Sequence, residues 1–369
     1  MPETLPVRPG EELDIDRLRL FVAGAIGPAS DVKIEQFTGG SSNLTYLITI
    51  NGAEYVLRRP PFGNTIKTAH DMRREFEVLS KLSHVYSPAP KPLYFCDDAN
   101  VIGSEFYLME RRKGLIIRGL VTIPEADDDS NAEALALAKA KQDLETSQAF
   151  RREVCISFTR NLAGLHALDL RVSGLADLGK PVGYNRRQVE GWTKRYIAAK
   201  THELVELEKA IRWLNDHIPP ESGASLIHND YKFDNIMLDP NDLTRITAVL
   251  DWEMVTVGDP LMDLGTTLGY WMSPDVGDEL INMPFNPRVL MENVTRRELV
   301  EMYIEASGRD LPDILFYYVF GTFKIAVIAQ QIYARYVRGS TKDKRFAEFD
   351  RFVAALGRIS ADAIKRGSL

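Results

Sequence analysis

Cysteine is nearly missing from this chain: only Cys96 and Cys155 occur, with no CxxC or Cys/His spacing, which excludes a disulfide framework and a zinc site of the usual kind. A reducing setting follows, and a cytoplasmic location is the expectation. A basic surplus is missing as well. Lys+Arg 45 against Asp+Glu 52 leaves a formal charge of -7, so a broad nucleic-acid-binding face is excluded and any polyanionic ligand has to be met by individually placed residues. The N-terminal MPETLPVRPGEELD has neither the basic start nor the apolar stretch of a signal peptide. No run reaches the roughly 20 apolar residues of a membrane span. The longest, residues 311–333, is interrupted by Lys324 and is expected to be a buried helix, with no membrane partner.

The bulk composition is that of a soluble globular protein, with 45% apolar and 26% charged residues over 369 positions, enough for about two domains or one two-lobed unit. Residues 12–28 carry apolar positions at helical spacing until Gly27-Pro28 stops them. From Val32 to Arg59 the pattern changes to short strands, VKIEQF, NLTYLITI and EYVLRR, the last two joined by Asn51-Gly52, a strong hairpin signal. A helix over residues 69–82 and strands at PAPKPLYFCDD and EFYLMER complete a first lobe ending near Glu110. Residues 122–150, with the run Asp127-Asp128-Asp129, read as an exposed linker and a polar helix. Helical patterns then cover residues 153–169, 185–217, 295–306, 311–337 and 343–366, around one island of short strands at 225–255. The expected division is therefore 1–30 as an N-terminal extension, 31–110 as a first lobe, 111–152 as hinge and insert, and 153–369 as a helical lobe.

The strand island holds the residues with chemistry. LIHNDYKFDNIMLDP places His228, Asp230 and Asn235 in the spacing HxDxxxxN, and ITAVLDWEMVTVGDP ends a second apolar strand at Asp251. Phosphoryl transfer from ATP asks the protein mainly to position the γ-phosphate, neutralise it with Mg²⁺ and orient the attacking hydroxyl. Asp230 suits the orienting base, while Asn235 and Asp251 supply the one or two protein oxygens that Mg²⁺ takes while keeping waters and phosphates. His228 reads as a buried, hydrogen-bonded marker, and Asp259 and Asp263 as helix caps or scaffolding, with orientation of this loop as the alternative.

These stretches resemble the aminoglycoside phosphotransferase and choline kinase group, relatives of the protein kinases. The form most similar is the kinase domain fused in animals to acyl-CoA dehydrogenase domains, with its free-standing bacterial relatives. GGSSNLTYLI, YVLRRPP, RREFEVLSKL, GWTKRY, HNDYKFDN, VLDWEMVTVGDPLMDLG and FKIAVIAQQIYAR carry the resemblance. It implies an α+β, protein-kinase-like fold: a five-stranded antiparallel N-lobe with one helix, and a mainly helical C-lobe.

By matched position it implies Asp230 as catalytic base with Asn235, Asn235 and Asp251 as metal ligands, and Glu253 as an auxiliary metal group. Gly40, Ser41, Ser42 and Asn43 take the place of the phosphate-covering loop, and Met109 and Glu110 that of the junction beside the nucleotide. Arg58 stands where protein kinases carry a strand lysine, with Glu75 as its helix partner, and strand alternation keeps Arg59 from sharing its side. The cofactors implied are ATP and Mg²⁺. The acceptor implied is a small-molecule hydroxyl, a hydroxyacyl-CoA of the 4-hydroxyacyl type, met by Trp192, Lys194, Arg195 and Lys324. An aminoglycoside or choline-like amino alcohol is the rival acceptor, and a nucleotide-binding regulatory module the rival of another class, suggested by the Arg58 replacement.

Overall fold

A computed structural model describes residues 3–38, 43–62, 71–118, 132–276, 278–281, 287–341 and 344–369. The chain divides into two compact units, Met1–Lys113 with Thr247–Glu253, and Gly114–Ile246 with Met254–Leu369.

The first unit is built on an antiparallel sheet of β1 (Thr4–Leu5), β2 (Val32–Phe37), β3 (Leu44–Ile50), β4 (Ala53–Arg59), β5 (Pro92–Cys96) and β6 (Phe106–Glu110), in the order β1-β2-β3-β4-β6-β5. Five of these strands follow the sequence pattern. The sixth, β1, is a two-residue edge in which Thr4 pairs with Phe37, too short to leave a periodic signal. Asn51 and Gly52 both take positive φ, 49° and 85°, the geometry of a tight hairpin turn whose twist matches the flanking strands. Helix α1 (Ile15–Ala25) starts at Asp14, whose side chain accepts from the Arg17 N–H, and α2 (Met72–Leu82) starts in the same way at Asp71. A further single turn, α3 (Ala99–Ile102), adds to the one inserted helix expected. Leu18, Val22, Tyr46, Ile48, Leu57, Phe106 and Leu108 form the core.

Residues 247–253 join this unit instead of following the linear division at residue 110. Val249 donates its N–H to the Pro88 carbonyl at 2.8 Å, and the Trp252 ring packs edge-on against Tyr86.

The second unit is helical: α4 (Ala132–Thr146), α5 (Gln148–His166), α6 (Tyr184–Ala199), α7 (Val205–Asp216), α8 (Pro260–Tyr270), α9 (Asp278–Ile281), α10 (Arg288–Met291), α11 (Arg296–Ser307), α12 (Ile314–Val337) and α13 (Phe349–Arg366). The pattern expected as one helix over 185–217 is two, broken where Lys200 leaves the helical backbone at ψ 129°. The strand island is a nested pair. β7 (Ser225–Ile227) pairs with β10 (Thr256–Gly258), and β8 (Ile236–Asp239) with β9 (Asp242–Val249).

Helix α12 packs against α8, α13, α6 and α7. It is long and apolar enough by composition for a membrane span, more so than the sequence reading allowed, yet 78% of its apolar window is buried. Its contact with α8 is made backbone to backbone. A Cβ on Gly265 would strike the Tyr317 carbonyl, and one on Gly321 would strike the carbonyl of Gly265. Gly269 would meet the Gly321 carbonyl carbon at 2.8 Å, so glycine at these points is what lets the helices approach.

Candidate active site

Between β7 and β8 the chain is extended at Lys232, with φ -152° and ψ 160°. Side chains two apart therefore share a side. Tyr231 and Phe233 point inward: the Tyr231 hydroxyl donates to the Phe158 carbonyl at 3.0 Å, and Phe233 stacks on Phe158 at 4.3 Å between centroids. Asp230 and Lys232 consequently stand together on the other side. The Lys232 ammonium reaches both Asp230 oxygens, at 2.9 and 3.1 Å, and lies 4.6 Å over the Tyr270 ring. The Asn235 amide nitrogen, brought back by one turn of 3₁₀ helix, donates at 2.9 Å to both the Asp230 carbonyl and its Oδ2.

Asp230 is thus a half-sheltered carboxylate, 15% exposed at its side chain beside a Lys232 that is 19% exposed. Burial opposes its charge, but the Lys232 ammonium, the nearby His228 ring and the Tyr270 hydroxyl together hold the carboxyl below the usual carboxylate range. At neutral pH it is ionised. Lys232 is pushed up by the same partnership, against its own burial.

The backbone of this loop is fixed from α8. Asp263 Oδ2 accepts from the His228 N–H and Oδ1 from the Asn229 N–H, each at 2.7 Å, while His166 Nε2 lies 3.2 Å from Oδ2. His166 in turn has Nδ1 2.7 Å from the Tyr303 hydroxyl. The two aspartates read as caps or scaffolding therefore part company. Asp259 caps α8 by accepting from the Leu261 N–H, and Asp263 is the loop's anchor. His228 is fully buried and its Nδ1 accepts from the Asp230 N–H at 3.2 Å.

In the first unit a second constellation forms around Asp251, whose φ of 67° turns the chain sharply after β9. Arg58 Nη2 donates to Asp251 Oδ1 at 3.0 Å and Nη1 lies 3.4 Å from Glu75 Oε1. Arg59, one step along β4, faces away, with Nη1 donating to the Ile102 carbonyl and its guanidinium 3.6 Å from the centre of the Phe62 ring. Burial drives the Glu75 carboxyl upward against the pull of Arg58. Glu253 Oε2 accepts from the Asn43 amide at 2.9 Å, and its carbonyl from Arg74. Gly40, Ser41 and Ser42 lie outside the described residues. Met109 sits in β6 opposite Val56, and Glu110 accepts from the Lys91 N–H and from Arg112.

The residues expected at the acceptor divide by orientation. Lys194 and Arg195 are exposed on α6, but Trp192 is 5% exposed, with the Arg195 guanidinium 4.5 Å over its ring. Lys324 is buried and donates to the Asn229 carbonyl at 2.6 Å. Lys232 and Tyr270 were not among the expected site residues, although alternation along HNDYKFDN is a signal that puts residue 232 beside 230.

Among the described residues no cluster of three or more His, Cys, Asp or Glu is set to hold a metal ion. Mg²⁺ requires none, since it keeps waters and substrate phosphates on most of its positions. Taken one at a time, the side chains meet that requirement: Asn235 commits its amide nitrogen and Asp251 its Oδ1, so each keeps one oxygen.

Known proteins resemble this chain along most of its length. Acyl-CoA dehydrogenase family member 11 of Gallus gallus is 33% identical over 99% of this chain, and family member 10 of Mus musculus 31% identical over all of it. The chain spans less than half of those relatives, 45% and 33% of their lengths. A solved structure from Ralstonia eutropha JMP134, provisionally described as an aminoglycoside phosphotransferase, superposes with TM-score 0.75 at 28% identity, covering 96% of this chain and 99% of that one. An aminoglycoside phosphotransferase in ternary complex with ADP and hygromycin B shares the fold, at TM-score 0.58 and 14% identity over 94% of this chain and 98% of its own. An antiparallel sheet unit followed by a helical unit, an HxDxxxxN loop and a family match over residues 33–286 converge on one conclusion: the chain belongs to the phosphotransferase enzyme family and is a small-molecule kinase of protein-kinase-like fold.

Proposed function

We propose that the chain transfers the γ-phosphate of MgATP to the hydroxyl of a hydroxyacyl-CoA. The observation that carries phosphoryl transfer is the cluster of Asp230, Lys232 and Asn235 on one side of one loop. The ionised Asp230 accepts a hydrogen bond from the acceptor hydroxyl and takes its proton as the oxygen bonds to the γ-phosphorus, the bond to the β-phosphate oxygen breaks, and ADP leaves. Lys232, already charged beside it, steadies the negative charge spread over the transferring oxygens. Asn235 and Asp251 are assigned to Mg²⁺, which when bound neutralises the β- and γ-phosphates. Arg58 is the phosphate cation of the first unit, and Glu253 the residue that holds the Asn43 amide.

Two facts favour a CoA thioester as acceptor. The relatives of matching sequence are named for acyl-CoA dehydrogenation, and α6 presents Arg186, Arg187, Lys194 and Arg195 as exposed cations on a protein that is otherwise acidic, the placed charge that CoA phosphates need. The test is a screen for ADP release and acceptor phosphorylation across 4-hydroxyacyl-CoAs, aminoglycosides and choline. Turnover confined to the CoA esters is the expected result. Turnover of an aminoglycoside or choline at comparable kcat/KM would overturn the acceptor, and tight nucleotide binding with no transfer to any alcohol would overturn the reaction.

A further inference from the structure

The buried cation on α12 has no part in the chemistry just described. Lys324 is 2% exposed in a helix whose neighbouring residues Phe323 and Ile325 are apolar, and burying an ammonium costs several kcal/mol unless its partners compensate. No carboxylate within ion-pair distance provides that among the described residues. Its contacts are the Asn229 carbonyl at 2.6 Å and the face of Trp192, 5.6 Å from the ring centre. Burial lowers its pKa to about 8, with Asp230 and Asp263 pulling upward and Lys232 and Arg195 pushing down. A lysine kept at this cost has a use for its hydrogen bond.

Asn229 is where that use lies. It immediately precedes Asp230 and holds φ at 67°, a left-handed conformation that few residues other than glycine and asparagine adopt. Each of its polar groups is taken. The N–H donates to Asp263 at 2.7 Å, the carbonyl accepts from Lys324, Nδ2 donates to the Met254 carbonyl at 3.0 Å, and Oδ1 accepts from Tyr184 at 3.3 Å. Asp263 belongs to α8 and Lys324 to α12, the two helices joined through Gly265, Gly269 and Gly321. One helix grips the peptide before Asn229 and the other the peptide after it.

We propose that Lys324 is a positioning residue for phosphoryl transfer: by holding the Asn229 carbonyl it fixes the peptide that aims the Asp230 carboxylate at the acceptor hydroxyl. This rests on the assignment of Asp230 above, and the experiment separates the two. Lys324→Met keeps the apolar stem and removes the donor. It should lower kcat about 100-fold, while KM for ATP changes less than about threefold and ADP released without acceptor phosphorylation rises. In a double-mutant cycle with Asp230→Asn, the second change should add almost nothing, because both act through one carboxylate. Multiplying losses in that cycle, or an unchanged kcat in Lys324→Met, would overturn the positioning role. A kcat unmoved by Asp230→Asn alone would instead overturn the assignment of the base. Should Lys324→Met not fold, Lys324→Leu, which also lacks a donor, carries the same cycle with the same outcomes.

Discussion

The two polar constellations are built on opposite plans. In the first unit, polar groups from separate elements meet: Arg58 pairs with Glu75 and Asp251, and the Asn43 amide donates to Glu253. In the second, Asp230, Lys232 and Asn235 come from a single short loop, and the distant residues, Asp263 and Lys324, hold its backbone and do not join the cluster of side chains. The first plan puts buried charges at stake in the fold. The second separates the reacting side chains from the groups that restrain them.

The sharpest way to break this contrast is at Asp230. Asp230→Asn should lower kcat by about 10²–10⁴-fold with nucleotide affinity by calorimetry nearly unchanged; a loss of binding in step with turnover would mean that the loop is folded by this carboxylate.

Next come the two cations. Arg58→Met leaves Glu75, 2% exposed, beside no cation, and should cost about 3–5 kcal/mol in urea unfolding. Lys232→Met strands a carboxylate that is partly exposed, and should cost about 1.5 kcal/mol while lowering turnover about 100-fold. Equal stability losses would show that the units do not differ in this way.

The smallest effect is in pH dependence, where the signs differ. Asp263, opposed by burial but held by His166 and His228, has its carboxyl below the ordinary range. Its unfolded form binds the proton first, so its contribution is complete above the unfolded value near 3.9 and is lost as pH falls through the folded one. Glu75 is raised by burial, so its folded form binds the proton first and stability declines as pH rises from its unfolded value through the folded one. Asp263→Asn should flatten the acid limb of an unfolding-free-energy profile, and Glu75→Gln the decline above it. A change in the same limb for both would contradict the opposed shifts.

How much of this the chain discloses follows from the same contrast. The Asp230–Asn235 loop is local, so its spacing shows in the sequence, as do the hairpin at Asn51-Gly52 and the pairing of Arg58 with Glu75 through the resemblance. Lys232 went unnoticed because a lysine in a loop reads as solvated, and only the inward turn of Tyr231 and Phe233 gives its direction. The anchors were harder. Asp263 resembles any acid in a first helical turn, and Lys324 any cation in an apolar helix, until close glycine packing brings α8 and α12 to the loop. The short edge strand β1 and the return of residues 247–253 to the first unit are set by a few tertiary hydrogen bonds, which leave no periodicity.

Helix α12 has a bearing on how this chain tolerates shortening. Its apolar surface is covered in part by α13, which runs to Arg366. A product that stopped before Phe349 would leave a greasy rod of 24 residues without that sheath, offering itself to chaperones, to lipid or to its own copies. The segment from Phe349 to Arg366 is thus a guard on solubility, although it carries none of the groups assigned to catalysis.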